Sequence, residues 1–505
     1  MLEDKLYSLF GFQSFKPGQK DIIEQLMAGK DVLAMLPTGR GKSLCYQLPG
    51  LLSEGLTIVV SPLLSLMEDQ VQQLKSQGIR RVATLNSFTN KEERKWLISH
   101  LSKIKLLYTS PEMLQSDELI NRLKSIHISY FIIDEAHCVS YWGHDFRADY
   151  LRLKDVRDDF KMPPCLAITA TASPSVRQDI IKELALKDPF FYIESVNREN
   201  ILLAVEEMNS QVDKVNRLVE YIQSYESPAL VYVQTRAQAE YYSHKLQVES
   251  TIRVGFYHGG MENAERMLIQ QQFMNGQLDV VCATSAFGMG LNKENIRYVI
   301  HLHCPLDIAS YVQEIGRAGR DGKPSFAVLL TTPEDKYYAH QLVERGKLSE
   351  IDWAWALGTL QGGLPFKSES FESIVETING DQARTAVFLL EQWGVIKNGM
   401  VQAFAITDVA VKLRNHFDIN VKRQKKRLES AITYAYGTEQ CKRGQLLHYF
   451  NEEPISQKPC CNVCGLDLGP FRKDKRKKKE NETLLNAKEE LKRIFGIERS
   501  CGHGN

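Results

Sequence analysis

Leu36-Pro37-Thr38-Gly39-Arg40-Gly41-Lys42-Ser43 follows a short apolar run at 31–36 and precedes a helical pattern. In that setting glycines let main-chain N–H groups turn inward around a phosphate, and the positive end of the following helix favours the anion. Lys42 adds a point charge at the β and γ phosphates, and the Ser43 hydroxyl is placed to hold Mg²⁺. Thr38, Gly39 and Gly41 complete the cradle. The longer form of this pattern begins with glycine five positions before Gly41. Leu36 stands there, so the match is to the shorter Thr-Gly-x-Gly-Lys-Ser form.

Strand, loop and helix in that order form one unit of an α/β fold, and the unit recurs. Apolar runs of four to six residues lie at 31–36, 56–61, 104–109, 130–134 and 166–169, then at 229–233, 254–257, 280–283, 298–302 and 326–330. Helical stretches such as 63–77 and 262–275 separate many of them. Runs this short, at crossover spacing, read as buried parallel strands. They fall into two groups of five, divided within 195–209, after the Asp188-Pro189 break and before a helix at 212–224. Two tandem parallel-sheet lobes are expected, at 1–200 and 201–340.

The run at 130–134 ends in Asp134-Glu135-Ala136-His137, about 90 residues beyond Lys42. A strand end presenting adjacent carboxylates suits in-line phosphoryl transfer, which needs positioning and charge stabilisation more than covalent chemistry. Asp134 is placed to hold Mg²⁺ and Glu135 to polarise the attacking water.

Downstream stand Thr169-Ala170-Thr171-Ala172 and Gln313-Glu314-Ile315-Gly316-Arg317-Ala318-Gly319-Arg320-Asp321-Gly322. With Asp134-Glu135-Ala136-His137, these motifs resemble superfamily 2 helicases, and specifically the RecQ family of DNA helicases, over residues 5–335. The resemblance implies two RecA-like lobes and an ATP- and Mg²⁺-dependent helicase that moves 3′ to 5′ on single-stranded DNA and unwinds duplex DNA in repair or recombination. It also implies that Gln19 reads the adenine edge, that Arg320 is the arginine finger, that Arg317 neighbours it, and that Gln313 lines the cleft. Arg40 departs from the glycine common in the family.

Cys138 to Arg147, which includes Trp142, His144 and Phe146, resembles the aromatic-rich loop of these helicases. Trp142 and Phe146 suit stacking on exposed bases, while His144 and Arg147 link that contact to the ATP cleft. Further phosphate contacts are expected at Ser61, Thr109-Ser110, Gln234-Thr235-Arg236 and Thr284, all at the C-terminal ends of expected strands.

Cys441, Cys460, Cys461 and Cys464 fall within 24 residues, whereas the other six cysteines are scattered singly. Scattered thiols suit a reducing compartment, and four bunched ones suit a closed tetrahedral Zn²⁺ site. The cluster resembles the RecQ zinc module but lacks two successive Cys-x-x-Cys steps. Cys441, Cys460, Cys461 and Cys464 are the expected ligands; because Cys460 adjoins Cys461, it stays open at this point whether both ligate, with His448, Cys501 or His503 as substitutes.

Beyond about residue 340 the strand alternation stops. Helical patterns at 371–378 and 382–393 flank Asn379-Gly380, with Asp381 as the second N-cap, and 395–401 reads as a hairpin turning at Asn398-Gly399. A winged helix at 341–420 and a plain helical connector both fit. A zinc module at 421–468 and a basic tail with a short helix at 469–505 complete the division. No room is left for the additional C-terminal helical domain of many relatives. The basic runs at 422–427 and 472–479 read either as solvated faces or as phosphate contacts.

The chain has 505 residues, 43% of them apolar and 25% charged, which excludes collagen-like and wholly disordered classes. With 63 Lys+Arg against 62 Asp+Glu, a polyanion must be met by local patches and not by the overall field. Without a leader or a membrane-length apolar run, the expected setting is the cytosol or nucleoid. The expected partners are single-stranded and duplex DNA, together with single-stranded-DNA-binding or repair proteins, and no membrane. An RNA helicase, a non-unwinding duplex translocase and an ATP-switched DNA-binding regulator are the alternatives.

Overall fold

The computed structural model describes residues 1–140, 147–288, 293–344, 348–360, 362–366, 371, 373–375, 382–453 and 459–473, and the structural statements below concern those residues. Two parallel sheets stand in tandem. The first contains β1 (Val32–Met35), β2 (Leu56–Val60), β3 (Val82–Leu85), β4 (Leu106–Thr109), β5 (Ile128–Asp134), β6 (Cys165–Thr169) and β7 (Phe190–Ile193). Their order across the sheet is β3-β4-β2-β5-β6-β1-β7. The second contains β8 (Ile201–Glu207), β9 (Ala229–Tyr232), β10 (Val254–Tyr257), β11 (Val280–Ala283), β12 (Tyr298–His301) and β13 (Ser325–Thr331), ordered β10-β11-β9-β12-β13-β8.

The groups of five strands expected from sequence are thus seven and six. β7 is an edge strand whose residues alternate between half-buried and exposed, so it carries no apolar run. β8 lies inside the stretch read as a connector and ends in Glu206-Glu207. The central strands β1, β2, β6, β9, β11 and β12 are buried throughout, because crossover helices cover both faces of a parallel sheet.

The C-terminal part is helical. A 31-residue helix, Ile406–Tyr436, packs Phe417 on the buried Trp353 of the Glu350–Gly358 helix, with ring centroids 5.1 Å apart. Near its other end Tyr434 meets Tyr311 of the second lobe, centroid to centroid 5.2 Å. The Ala383–Gln392 helix docks on the first lobe. Glu391 pairs with Arg152 at 2.5 Å, and Arg384 lies 3.6 Å from the carboxylates of Glu112 and Asp149. The expected hairpin follows as β14 (Ile396–Lys397) and β15 (Met400–Val401), with Asn398 and Gly399 both at positive φ as a tight two-residue turn requires. The helix begins after Gln382, and the N-cap expected at Asp381 lies outside the described residues, as do much of the expected helix at 371–378 and the tail from 474 onward. Among the described residues no helix is long and apolar enough to cross a membrane.

Candidate active site at the seam of the two lobes

Gly39 and Gly41 take φ of +87° and +73°, which L side chains rarely adopt, and so curl the loop between β1 and the Leu44–Leu52 helix. Arg40 between them keeps an ordinary φ and turns its guanidinium out to an ion pair with Glu194, so it fits where the family has glycine. Lys16 Nζ donates to Gly39 O at 3.0 Å. Gln19 is buried; its Oε1 accepts from Lys16 N (2.9 Å), and its Nε2 donates to Arg40 O (2.9 Å) and Gly41 O (3.0 Å). The amide expected to read adenine is here committed to main chain, as a brace for the loop. A Cβ on Gly41 would sit 2.7 Å from that amide nitrogen, so glycine is needed for this close approach.

β5 runs between β2 and β6 and delivers Asp134 and Glu135 beside the loop. Glu135 has φ +49°, which swings its side chain towards Lys42, and Lys42 Nζ lies 3.2 Å from Glu135 Oε1. His137 Nδ1 is 3.3 Å from the other Glu135 oxygen and 2.8 Å from Thr169 Oγ1, which ties the Thr169-Ala170-Thr171 turn to the carboxylates. Tyr150 donates to Asp134 O at 3.2 Å. Burial pushes both carboxyls up. For Glu135, Lys42 and His137 overcome burial and hold it well below the usual range. Asp134 stays high, at about 6, because the Glu135 charge adds to burial and Lys42 only partly offsets them. A buried carboxylate pair with one ammonium nearby favours a divalent cation, and Ser43 and Asp134 line the same cleft.

That cleft, about 410 Å³, is closed from the other side by Gln313, Arg317 and Arg320 of the second lobe. Thr38 Oγ1 donates to Gly316 O at 3.0 Å, and a Cβ on Gly39 would lie 3.4 Å from the Arg320 side chain. Arg317 is buried and donates to Gly288 O, while Tyr232 donates to Phe287 O at 2.8 Å. Burial, with Arg317 and Arg198 alongside, lowers Arg320 to about 9. Guanidiniums crowded against the phosphate loop make the seam electropositive, which is what a polyphosphate needs. Lys16, Tyr46, Gln47 and Arg198 belong to this neighbourhood and were not singled out from sequence.

The residues expected to touch nucleic acid are spread over both lobes, and among them Arg147 is held beside Ser61 through Pro62. Ser61 follows β2 and is buried, as are Thr109, the last residue of β4, and Ser110 after it. Arg147 donates from Nη1 to Pro62 O and from its main chain to Cys138 O, both at 3.0 Å, which ties it to the loop after β2 and to the residues that follow Glu135. Trp142, His144 and Phe146 lie outside the described residues. In the second lobe Arg236 is exposed beside Gly260, and Thr284 N donates to Tyr257 O at 3.2 Å.

Cys441, Cys460, Cys461 and Cys464 bring their sulfurs within 4.8 Å of one another. Their sulfur–sulfur separations are 3.4 Å for 441–460, 3.8 Å for 441–461 and 3.6 Å for 461–464. A tetrahedron of thiolates about 2.3 Å from Zn²⁺ has edges of about 3.8 Å, so the set fits this metal. Both adjacent cysteines belong to the cluster. Cys460 is pinned through its carbonyl to Leu203 N of β8 (3.1 Å), while the Cys461 sulfur accepts from Lys442 N at 3.4 Å, so the two reach the cluster from differently anchored positions. Among the described residues no histidine joins the cluster; Cys501 and His503 are outside them.

Comparison with known proteins matches the DEAD/DEAH box helicase family at residues 16–180, the helicase conserved C-terminal domain at 213–322 and the RecQ zinc-binding family at 405–465. A probable ATP-dependent DNA helicase RecS of Bacillus subtilis is 42% identical over 98% of both chains. The ATP-dependent DNA helicase RecQ of Pasteurella multocida is 41% identical over 67% of this chain, which spans 54% of that relative. Among solved structures, helicase Lhr of Mycobacterium smegmatis, bound to single-stranded DNA and AMP-PNP, has a TM-score of 0.55 at 20% identity, covering 81% of this chain and 61% of that one; this likeness is one of fold.

Proposed function

This chain belongs to the RecQ family of DNA helicases, and on that premise we propose that it hydrolyses ATP at the seam of its two lobes to move 3′ to 5′ along single-stranded DNA and part a duplex. The observation that carries the reading is that Lys42 and the Asp134–Glu135 pair of one lobe face Arg317 and Arg320 of the other across a single cleft. Lys42 and the loop N–H groups hold the β and γ phosphates. Glu135, kept ionised, accepts a proton from the attacking water. Arg320 stabilises the charge gathering on the transferred phosphoryl group. Ser43 and Asp134 would hold Mg²⁺, which would supply charge neutralisation for the phosphates.

Because Arg320 and Lys42 come from different lobes, ATP draws the lobes together and product release lets them part. Ser61 and Arg147 ride on one lobe and Arg236 and Thr284 on the other, so each cycle shifts the two grips along a strand. Trp142 and Phe146 stack on bases, and His144 and Arg147 report strand occupancy to the carboxylates. Work in DNA repair or recombination, beside single-stranded-DNA-binding proteins in the cytosol or nucleoid, suits this activity.

The test is strand displacement on duplexes with 3′ or 5′ single-stranded overhangs, in DNA and RNA versions, with and without ATP and Mg²⁺. The expected result is ATP- and Mg²⁺-dependent unwinding of the 3′-overhang DNA alone. Equal unwinding of RNA would favour an RNA helicase. ATP turnover indifferent to single-stranded DNA would favour a switched DNA-binding regulator.

A further inference from the structure

Arg198 lies in the connector between the sheets, three residues before β8, and bonds to main chain. Its Nη1 donates to Gly316 O at 3.1 Å, and its Nη2 donates to Ala318 O at 3.3 Å and Gly319 O at 2.8 Å. Those carbonyls flank Arg317 and lead directly into Arg320. A second guanidinium holds the connector from behind. Arg443, in the first turn of the Lys442–Tyr449 helix, donates from Nη1 to Asn197 Oδ1 (2.7 Å) and Arg198 O (3.0 Å), and from Nη2 to Ile201 O. That helix starts at Cys441 of the thiol cluster. Glu452, just beyond it, accepts from Val196 N at 3.0 Å.

Arg443 is buried, and among the described residues neither arginine belongs to an ion pair. Burying a cation against carbonyls without a carboxylate is poor value for stability. A rigid five-donor fork is, however, well suited to fixing three carbonyls of a turn relative to one another. Placement of the reacting groups is also where geometry matters most, since a shift of about 1 Å costs on the order of 10²-fold in rate.

We propose that Arg198 is a positioning residue for ATP hydrolysis, holding the 316–320 turn so that Arg320 meets the phosphate loop, and that Arg443 sets Arg198 in turn. The cysteine module thereby governs turnover in a cleft whose lining it does not join. This rests on the reading of Arg320 as the cation that acts on the triphosphate.

The test uses the full-length, zinc-loaded protein at saturating single-stranded DNA. It measures kcat and KM for ATP, affinity for a fluorescent non-hydrolysable ATP analogue, zinc content and thermal midpoint. Arg198→Met is expected to lower kcat by about 30-fold or more, with KM and analogue affinity within about threefold, and Arg198→Lys to recover part of the loss. Arg443→Met, or Asn197→Ala if the former loses zinc, is expected to lower kcat without changing KM. The Arg198→Met/Arg443→Met double variant is expected to be no slower than Arg198→Met alone, since residues acting in series are not additive. Normal kcat in Arg198→Met, alongside lost turnover in Arg320→Ala, overturns the relay and leaves the site reading standing. Independent, multiplying losses in the double variant overturn the link to Arg443. Normal turnover in Arg320→Ala removes the underlying reading itself.

Discussion

Lys42 and Glu135 form an ion pair across the floor of the cleft, 3.2 Å from ammonium to carboxylate, with both side chains mostly out of solvent. Each neutralises the other until a nucleotide arrives. A triphosphate draws Lys42 to its own oxygens and leaves the Glu135 carboxylate for water. Lys42→Ala is therefore expected to lower kcat by at least about 10³-fold and to weaken nucleotide binding. Glu135→Gln is expected to lower kcat comparably while keeping, or tightening, affinity for a non-hydrolysable analogue, because one negative charge beside the phosphates is gone. Turnover assays paired with analogue titrations separate the two variants.

Arg147 joins Pro62, at the end of β2, to the segment that follows the carboxylates. Its removal leaves the cleft lining intact but loosens the link from strand end to Glu135. Arg147→Ala and Trp142→Ala are expected to retain basal ATP hydrolysis and to lose most of the stimulation by single-stranded DNA, about tenfold or more. Hydrolysis rates with and without an oligonucleotide check this; undiminished stimulation in both would remove the relay through this segment.

The proposed motor is legible in the sequence because its residues are local. The loop around Lys42, the Asp134-Glu135 strand end and the run from Gln313 to Gly322 are each consecutive residues that supply the lining of one cleft, and the central strands announce themselves as apolar runs. What escaped lacked such a signature. β7 alternates because it is an edge, and β8 ends in two glutamates. Arg198 bonds only to main-chain carbonyls more than a hundred residues away, and such bonds leave no trace in spacing. The joint use of Cys460 and Cys461 depends on β8 and the Lys442–Tyr449 helix anchoring them separately, which is a tertiary fact.

A metal ion on the thiol cluster would crosslink residues 441 to 464, and the cluster lies against β8. Asn462 adds two bonds to Val205, at 3.2 and 3.1 Å. Metal analysis is expected to give one zinc per chain. Chelation, or Cys461→Ser, is expected to lower the thermal midpoint by on the order of 5–10 °C, because metal affinity is also folding free energy. A fully folded, zinc-free protein with an unchanged midpoint would contradict the assignment.

Lys214 and Asp335 are buried together at 2.5 Å, with Lys214 also donating to Leu302 O and Asp335 accepting from Thr332 N. Burial lowers the Lys214 pKa even against the pull of Asp335. Asp335→Ala strands an ammonium in the second lobe and is expected to cost about 3–5 kcal/mol. Lys214→Met combined with Asp335→Leu is expected to cost much less than Asp335→Ala alone. Thermal unfolding of the two variants, side by side, reads the difference.

The central claim is that an arginine from one lobe acts on a triphosphate held by the other. Single-turnover ATP hydrolysis by Arg320→Ala, with analogue affinity measured on the same preparation, tests it most directly. Near-normal binding is expected, with the hydrolytic step slowed by about 10³-fold or more. A hydrolytic step as fast as that of the unaltered protein would contradict it.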